Sequence, residues 1–131
     1  MNDIMLDDFQ NSVCESLMRH KSIIDIITKL TESNARINRA LAKSATQCGC
    51  ISISAHKQKL PEDASLDNIC ELLSTQIEGT LCDSCREILE KEVGSHLYYL
   101  AALCGEVDIS LFDVLIDENE KLKTLGKFTL L

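Results

Sequence analysis

Residues 83–105 read DSCREILEKEVGSHLYYLAALCG and carry the clearest helical pattern in the chain. Their apolar side chains recur at three- and four-residue spacing, as on one face of an α-helix. These side chains are Ile88, Leu89, Val93, Leu97, Leu100 and Leu103. Asp83 or Ser84 can cap the start of the helix, and Gly105 favours its end. The stretch therefore predicts one long amphipathic helix.

Two further segments have the same period. The first runs from about Leu6 to Ala45, and we expect a bend near Thr31-Glu32-Ser33 because Ser and Thr compete for backbone hydrogen bonds. Its stripe comprises Phe9, Val13, Leu17, Ile24, Ile27, Leu30, Ile37 and Leu41. The last helix is predicted to start at Ser110, with Asp113 close to a capping-box position, and to end at Gly126.

The middle of the chain is less regular. Residues 46–64 contain Pro61 and lack a helical period, so we interpret them as a loop with at most a brief extended piece at 51–54. Ser65 is a suitable cap for a third helix that ends at Gly79. Its inner face is predicted to carry Leu66, Ile69, Leu73 and Ile77.

These segments predict an all-α helical bundle of four to five helices, built as a single domain over residues 1–131. The composition agrees, because 45% of the residues are hydrophobic and 26% are charged, as in folded soluble proteins. One proline and five glycines are few breakers for a chain of this length, which favours long helices.

The net charge and the termini exclude several functions. A formal charge of −8 repels the phosphate backbone, so general nucleic-acid binding is not expected. No apolar run reaches the roughly 18–20 residues that a membrane-spanning helix needs. The N-terminus, Met1-Asn2-Asp3-Ile4, is acidic and lacks the basic and apolar pattern of a signal peptide, so we expect a cytoplasmic protein.

A family resemblance enters at residues 92–103, which read EVGSHLYYLAAL. This segment resembles the second metal-binding helix of the MazG-like all-α nucleotide pyrophosphohydrolases, where a Glu-x-x-Asp pair precedes an aromatic and aliphatic run. Residues 108–115 and 120–123 are similar to the family's short turn and final helix. Upstream, residues 29–36 stand where the family has Lys-Leu-x-Glu-Glu-x-x-Glu. The C-terminal part of the match covers about a third of the chain.

The resemblance implies a site in which acidic side chains of two helices hold Mg²⁺, which binds the phosphates of a nucleoside triphosphate. In this chain Glu32 keeps the first upstream carboxylate and Glu92 keeps the downstream glutamate. Ser33 and Arg36 replace the other two upstream carboxylates. Ser95 replaces the downstream aspartate.

The loss of acidic ligands changes the charge of this site. The family site offers about five carboxylates, whereas two carboxylates and one guanidinium leave a net charge of about −1 here. Arginine binds carboxylates bidentately and can supply the positive charge of a metal ion. We therefore expect Glu32, Arg36 and Glu92 to form a buried or half-buried polar network without magnesium. The competing interpretation is an exposed helical ion pair between Glu32 and Arg36.

Two functions follow from the resemblance. The first is a MazG-like homodimer with a degraded metal site, which binds a nucleotide or a partner without strong hydrolase activity. The alternative is a magnesium-dependent nucleoside triphosphate pyrophosphohydrolase with a rearranged acidic site. The replacements at Ser33, Arg36 and Ser95 favour the first function. Long helices that leave apolar surface uncovered are consistent with the implied dimer.

Three aromatic or imidazole side chains follow Glu92. His96 can act as a base or a phosphate contact, but we favour a histidine held by a nearby carboxylate inside the bundle. Tyr98 and Tyr99 are interpreted as core or interface aromatics rather than base-stacking platforms.

The cysteines form a second constellation. Cys48-x-Cys50 and Cys82-x-x-Cys85 supply four thiols in two tight pairs, a pattern that suits a structural, tetrahedral Zn²⁺ site. Reduced core cysteines and a redox pair at Cys82 and Cys85 are the alternatives, although no thioredoxin-like pattern is present. The three other cysteines are interpreted as small buried hydrophobic residues. They are Cys14, Cys70 and Cys104.

Overall fold

A computed structural model of the chain describes residues 2–17, 21–65 and 67–126. These residues form five α-helices and one two-stranded antiparallel sheet, which confirms the predicted all-α fold class. The helices are α1 (Asn2–Ser16), α2 (Ile23–Lys43), α3 (Ile69–Leu72), α4 (Asp83–Glu106) and α5 (Leu111–Leu125). The strands are β1 (Ile51–Ile53) and β2 (Ile77–Gly79), and a π-helical turn (Ser44–Cys48) continues α2.

The core lies where α1, α2 and α4 meet. Ile26 of α2 is completely buried and packs with Ala101 and Ala102 of α4, which are also completely buried. Val13 and Leu17 complete this cluster from the other side. Small side chains on α4 let the helices approach closely, so the core is compact but contains few large residues.

The α2 face that meets α4 is partly polar. Ser33 and Ser44 are both buried, and they follow Ile26 at intervals that keep all three on one side of the helix. Their hydroxyl groups donate hydrogen bonds to the carbonyl oxygens of Leu30 and Ala40 within the same helical segment. The buried hydroxyl groups are thereby satisfied, and the helices can pack closely at these positions.

The start of α5 is attached to α1 through Gln10. The Gln10 side-chain amide donates a hydrogen bond to the Ile109 carbonyl at 2.8 Å and accepts one from the Leu111 N–H at 3.0 Å. Ser110 caps α5 as predicted, because its Oγ accepts a hydrogen bond from the Asp113 N–H. The predicted end of this helix at Gly126 is also confirmed.

The bend predicted at Thr31-Glu32-Ser33 is wrong. Helix α2 continues without interruption from Ile23 to Lys43, and it is a separate helix from α1, which ends at Ser16. The hydroxyl groups of Thr31 and Ser33 donate to carbonyl oxygens of the preceding turn, so they do not cap a new helix.

The predicted third helix is longer than the observed one, and part of the stretch assigned to it is a strand. Helix α3 covers only Ile69–Leu72, and β2 pairs with β1 so that Ile51 lies opposite Gly79. Local polar competition explains the difference, because the Gln76 N–H donates a hydrogen bond to the Ser74 Oγ and Gln76 has a positive φ of 63°. The brief extended piece predicted near Ile51 is confirmed, and Leu66 lies outside the described residues.

Among the described residues, none of the helices has both the length and the apolar character that a membrane span requires.

The role of the core is tested by two isoleucines of α2 with opposite exposure. We expect Ile26→Ala to lower the free energy of unfolding by about 2–5 kcal/mol, because the substitution leaves a cavity between α2 and α4. Ile24 is 62% exposed, so Ile24→Ala is the matched control and should change stability by about 0.5 kcal/mol or less. Urea denaturation measures both, and equal losses would contradict the proposed packing.

Candidate functional site

The four paired cysteines converge at one end of α4. Cys48 ends the π-helical turn, Cys50 precedes β1, and Cys82 and Cys85 lie at the start of the helix. Their four Sγ atoms all lie within 4.8 Å of one another. The sequence-predicted thiol cluster is therefore present, and we call these four side chains the cysteine centre.

Two glycines make this convergence possible. Gly49 has a φ of 79°, so the chain reverses between Cys48 and Cys50 in a conformation that favours glycine. Gly79 has a φ of 86°, and a Cβ atom there would lie 2.6 Å from the Cys50 carbonyl oxygen. Close pairing of β1 with β2 therefore requires glycine at this position and holds Cys50 near the start of α4.

The cap of α4 differs from the prediction. Neither Asp83 nor Ser84 caps the helix, because the Cys82 Sγ accepts the hydrogen bond from the Cys85 N–H at 3.4 Å. This backbone hydrogen bond is the main reason that the pKa of Cys82 is lowered to about 7. Ser44 favours the Cys85 thiolate, but Cys82 and desolvation outweigh it, and the pKa of Cys85 is raised to about 12.

The geometry of the cysteine centre suits a tetrahedral metal ion. Zn–S bonds of about 2.3 Å place the sulfurs of a tetrahedral ion about 3.8 Å apart. The Sγ atoms of Cys48 and Cys82 are 3.8 Å apart, and no two of the four Sγ atoms are more than 4.8 Å apart. The cysteine centre can therefore hold a metal ion with four sulfur ligands.

The interpretation of the other cysteines is only partly correct. Cys104 is buried in α4, and burial raises the pKa of its thiol. Cys14 and Cys70 are exposed rather than buried. Cys70 lies in the short helix α3, none of whose residues is buried, so the helical face predicted to cover it is absent.

A second group of predicted residues meets between α2 and α4. The Arg36 Nε lies 3.3 Å from a Glu32 carboxylate oxygen, and Arg36 Nη1 lies 3.8 Å from a Glu92 carboxylate oxygen. One guanidinium therefore contacts both surviving carboxylates. The side chain of Glu92 is 23% exposed, whereas those of Glu32 and Arg36 are 48% and 59% exposed. The network is thus open to solvent on the α2 side.

Lys29 adds a further cation to this network. Its Nζ lies 3.4 Å from the Glu32 carboxylate. The charge of Lys29, with a smaller contribution from Arg36, holds the pKa of Glu32 below its usual value. Glu32 therefore stays ionised at neutral pH, and its charge is offset by cations that belong to the same helix.

The neighbours of His96 differ from the prediction. His96 Nδ1 lies 2.9 Å from the Ser33 Oγ, so the histidine is held by a hydroxyl group rather than by a carboxylate. Ser33 is 3% exposed, which places this hydrogen bond inside the contact between α2 and α4. Ser95 instead lines the open surface beside Arg36 and Glu92.

The two tyrosines lie on different sides of α4. Tyr98 packs against the core cluster, as predicted, and its hydroxyl group lies 2.7 Å from the Ser16 Oγ. Tyr99 lines the cavity beside Arg36. The two rings meet edge to face with centroids 5.1 Å apart.

Three cavities that share lining residues follow one another between α2 and α4, and we call them together the α2–α4 groove. Its first cavity, of about 200 Å³, surrounds Arg36 and Glu92. The second, of about 370 Å³, shares those two residues and extends to Ala40 and Ile88. The third, of about 560 Å³, shares Ala40 and Ile88 and ends at the cysteine centre.

The groove is electropositive on an acidic protein. Five cationic and two acidic side chains line the three cavities. The cations are Lys29, Arg36, Arg39, Lys43 and Lys91, and the acids are Glu32 and Glu92. Because the whole chain carries a charge of −8, this surplus of positive charge distinguishes the groove from the rest of the surface.

Sequence reasoning missed most of these cations. The positive face of α2 could have been predicted from the spacing of Lys29, Arg36 and Lys43, because residues seven apart lie on the same side of a helix. The contribution of Lys91 depends on how α4 packs against α2, so it was not available from the sequence.

Comparisons with known protein families, curated proteins and solved structures find no match for this chain. The resemblance to the MazG-like proteins therefore rests on the segments quoted above.

The cysteine centre makes a prediction about thiol reactivity. In the reduced, metal-free protein, Cys82 should react with iodoacetamide with a midpoint near its pKa of about 7, because the thiolate is the nucleophile. Cys85 should remain the least reactive member, since its pKa is about 12. Mass spectrometry of peptides labelled at a series of pH values measures both. If Cys82 and Cys85 were labelled with the same pH dependence, the proposed cap would be contradicted.

Proposed function

We propose that the chain is a zinc-stabilised, MazG-like all-α module that binds a nucleotide in the α2–α4 groove without strong hydrolase activity. The observation that carries this proposal is the position of Arg36 between Glu32 and Glu92. In the family that the chain resembles, these two carboxylate positions belong to a magnesium site.

The charge at this position argues against a divalent ion. Mg²⁺ needs several hard oxygen ligands and binds where acidic groups are in excess. Here the guanidinium of Arg36 contacts both carboxylates, and Ser33 is turned away into a hydrogen bond with His96. A magnesium ion would have to displace Arg36 and would still find only two carboxylates in the predicted ligand set.

The same arrangement favours an anionic ligand. Arginine and lysine bind phosphate oxygens directly through charge-assisted hydrogen bonds. The first two cavities place Arg36, Arg39 and Lys43 along one side of the groove. Phosphate groups are expected there, because the cations that line these cavities outnumber the carboxylates.

The other end of the groove suits the remainder of a nucleotide. Ala40 and Ile88 supply apolar surface to the wider cavity of about 560 Å³. Gln47 and Ser84 add polar side chains to the same wall. A small number of polar groups beside an apolar wall is a common way to hold a base or sugar.

Magnesium-dependent pyrophosphohydrolysis is the second candidate function. Glu32 and Glu92 do line the same cavity, as a rearranged acidic site requires. If a bound triphosphate drew Arg36 onto its phosphates, both carboxylates would become available to a metal ion. Pyrophosphate release in the presence of Mg²⁺ or Mn²⁺ that Glu92→Ala abolishes would favour this function over the first.

We propose zinc for the cysteine centre because four thiolates in tetrahedral arrangement select it over harder ions. With all four positions filled by protein, the role is structural. The metal would fasten the β1–β2 pair to the start of α4, and so would fix the wide end of the groove. Thiolate ligands also need a reducing compartment, which supports a cytoplasmic location.

We further propose that the chain forms a homodimer. It has 9971 Å² of accessible surface at a mass of 14.6 kDa, whereas a compact monomer of this mass exposes about 6,900 Å². Leu89, Val93 and Leu97 form a stripe along α4 that lines an open cavity of about 290 Å³. Helix α5, all of which is described, contains no buried residue. The excess of about 3,000 Å² for one chain is larger than the roughly 1,000–2,500 Å² that each partner of an obligate dimer buries, so there is surface enough for such an interface.

Nucleotide binding is tested by isothermal titration of the zinc-loaded protein with ATP in magnesium-free buffer without a chelator. We expect wild-type protein to bind ATP and Arg36→Ala to weaken binding at least about tenfold, because charge-assisted hydrogen bonds to phosphate are lost. Arg86 is an exposed arginine of α4 that lines a different cavity, so Arg86→Ala is the matched control and should leave affinity unchanged. Binding that requires Mg²⁺ would contradict this proposal.

The dimer is tested by light scattering coupled to size-exclusion chromatography. We expect Leu97→Glu to shift the protein toward monomers, because Leu97 is 49% exposed on the apolar stripe of α4. Leu60 is 42% exposed in the loop before Pro61, so Leu60→Glu is the control and should leave the mass unchanged. A monomeric wild-type protein at micromolar concentration would contradict the proposed assembly.

A further inference from the structure

We propose that the cysteine centre is a site of oxidative modification that controls ligand binding in the α2–α4 groove. A peroxide joins Cys48 to Cys82 in a disulfide, the metal ion is released, and the wide end of the groove changes shape. This inference rests on the proposed function, because it assigns regulation to the same metal centre and groove.

Access to the sulfurs is the first observation. Cys48 is exposed, and both Cys48 and Cys85 line the open cavity of about 560 Å³ at the end of the groove. A small oxidant can therefore reach two of the four ligands without unfolding the protein.

The second observation is the distance between the thiols. Cys48 Sγ and Cys82 Sγ are 3.8 Å apart, whereas a disulfide bond measures about 2.05 Å. Closing this gap needs a movement of less than about 2 Å. Cys48 lies at the end of the π-helical turn, next to Gly49, so the movement involves the end of an element rather than the middle of a helix.

The reaction balances with a peroxide as the oxidant. The Cys48 thiolate attacks one oxygen of hydrogen peroxide, the O–O bond breaks, and hydroxide leaves and takes a proton to form water. The resulting sulfenic acid is attacked by the Cys82 thiolate, which forms the S–S bond and expels a second hydroxide that is protonated to water. Two thiolates, one peroxide and two protons thus give one disulfide and two waters. The metal loses two ligands and dissociates.

Oxidation of the cysteine centre affects the groove because the two share lining residues. The cavity that contains Cys48 and Cys85 also contains Lys43, Ala40 and Ile88, which line the adjoining part of the groove. The disulfide draws Cys48 toward Cys82 at the start of α4, whereas loss of the metal releases Cys50 and Cys85 from the cluster. The wall of the groove that Cys48 and Cys85 share therefore changes shape. The core around Ile26 lies at the other end of α2 and is not part of this change.

The experiment uses the full chain purified without chelator and carrying one equivalent of zinc. Hydrogen peroxide is added, zinc release is followed with a chromogenic chelator, and disulfides are mapped by mass spectrometry. ATP affinity is measured before and after treatment. We expect one zinc ion to be released for each Cys48–Cys82 disulfide, and ATP affinity to fall at least about tenfold. A thiol reductant added with zinc should restore the affinity.

A matched control separates the cysteine centre from other thiols. Cys70 is exposed but lies outside the cluster, so Cys70→Ser should respond to peroxide like the wild type. Zinc and ATP affinity that both survive peroxide would overturn the switch and leave the proposed function intact. A freshly purified chain without zinc would overturn the metal assignment and the switch together. Absence of ATP binding before peroxide would overturn the proposed groove function and the regulation assigned to it.

Discussion

The packing of α2 against α4 is the contact on which the remaining features depend. Ile26 and the buried Ser33 and Ser44 lie along the face of α2 that meets α4. Small and hydroxyl-bearing side chains keep the two helices close, and cations beside this face line the groove. The cysteine centre lies at the far end of the same contact. A change in the distance between the helices would alter both sites.

Charge determines what the groove can bind. A magnesium site needs an excess of carboxylates, whereas Arg36 contacts the two that remain and further cations line the same surface. We propose that phosphate groups take the place that a metal ion has in the family the chain resembles. The cysteine centre offers the opposite environment, because soft thiolates select a soft or borderline ion. The cysteine centre is therefore suited to a metal ion, whereas the groove is suited to an anion.

The sequence predicted the features that follow from local pattern. The helical period of α4, the cap of α5 at Ser110 and the paired spacing of the four cysteines were sufficient to predict their structures. Features that depend on tertiary contacts were not predictable in this way. The strand formed by Ile77–Gly79 depends on pairing with a distant segment, and the Ser33 partner of His96 depends on how two helices pack. The bend predicted at Thr31 was wrong for a related reason. A threonine hydroxyl group can either cap a new helix or donate to a carbonyl oxygen within a continuous one, and the residue type does not decide between the two.

The most direct measurement is anomalous diffraction from crystals of the wild-type protein grown with Mn²⁺, which takes the same oxygen ligands as Mg²⁺. Arg36 should remain between Glu32 and Glu92, and no manganese peak should appear between the two carboxylates. An octahedral manganese ion bound by both glutamates, with Arg36 displaced, would contradict the central claim that a guanidinium has replaced the metal.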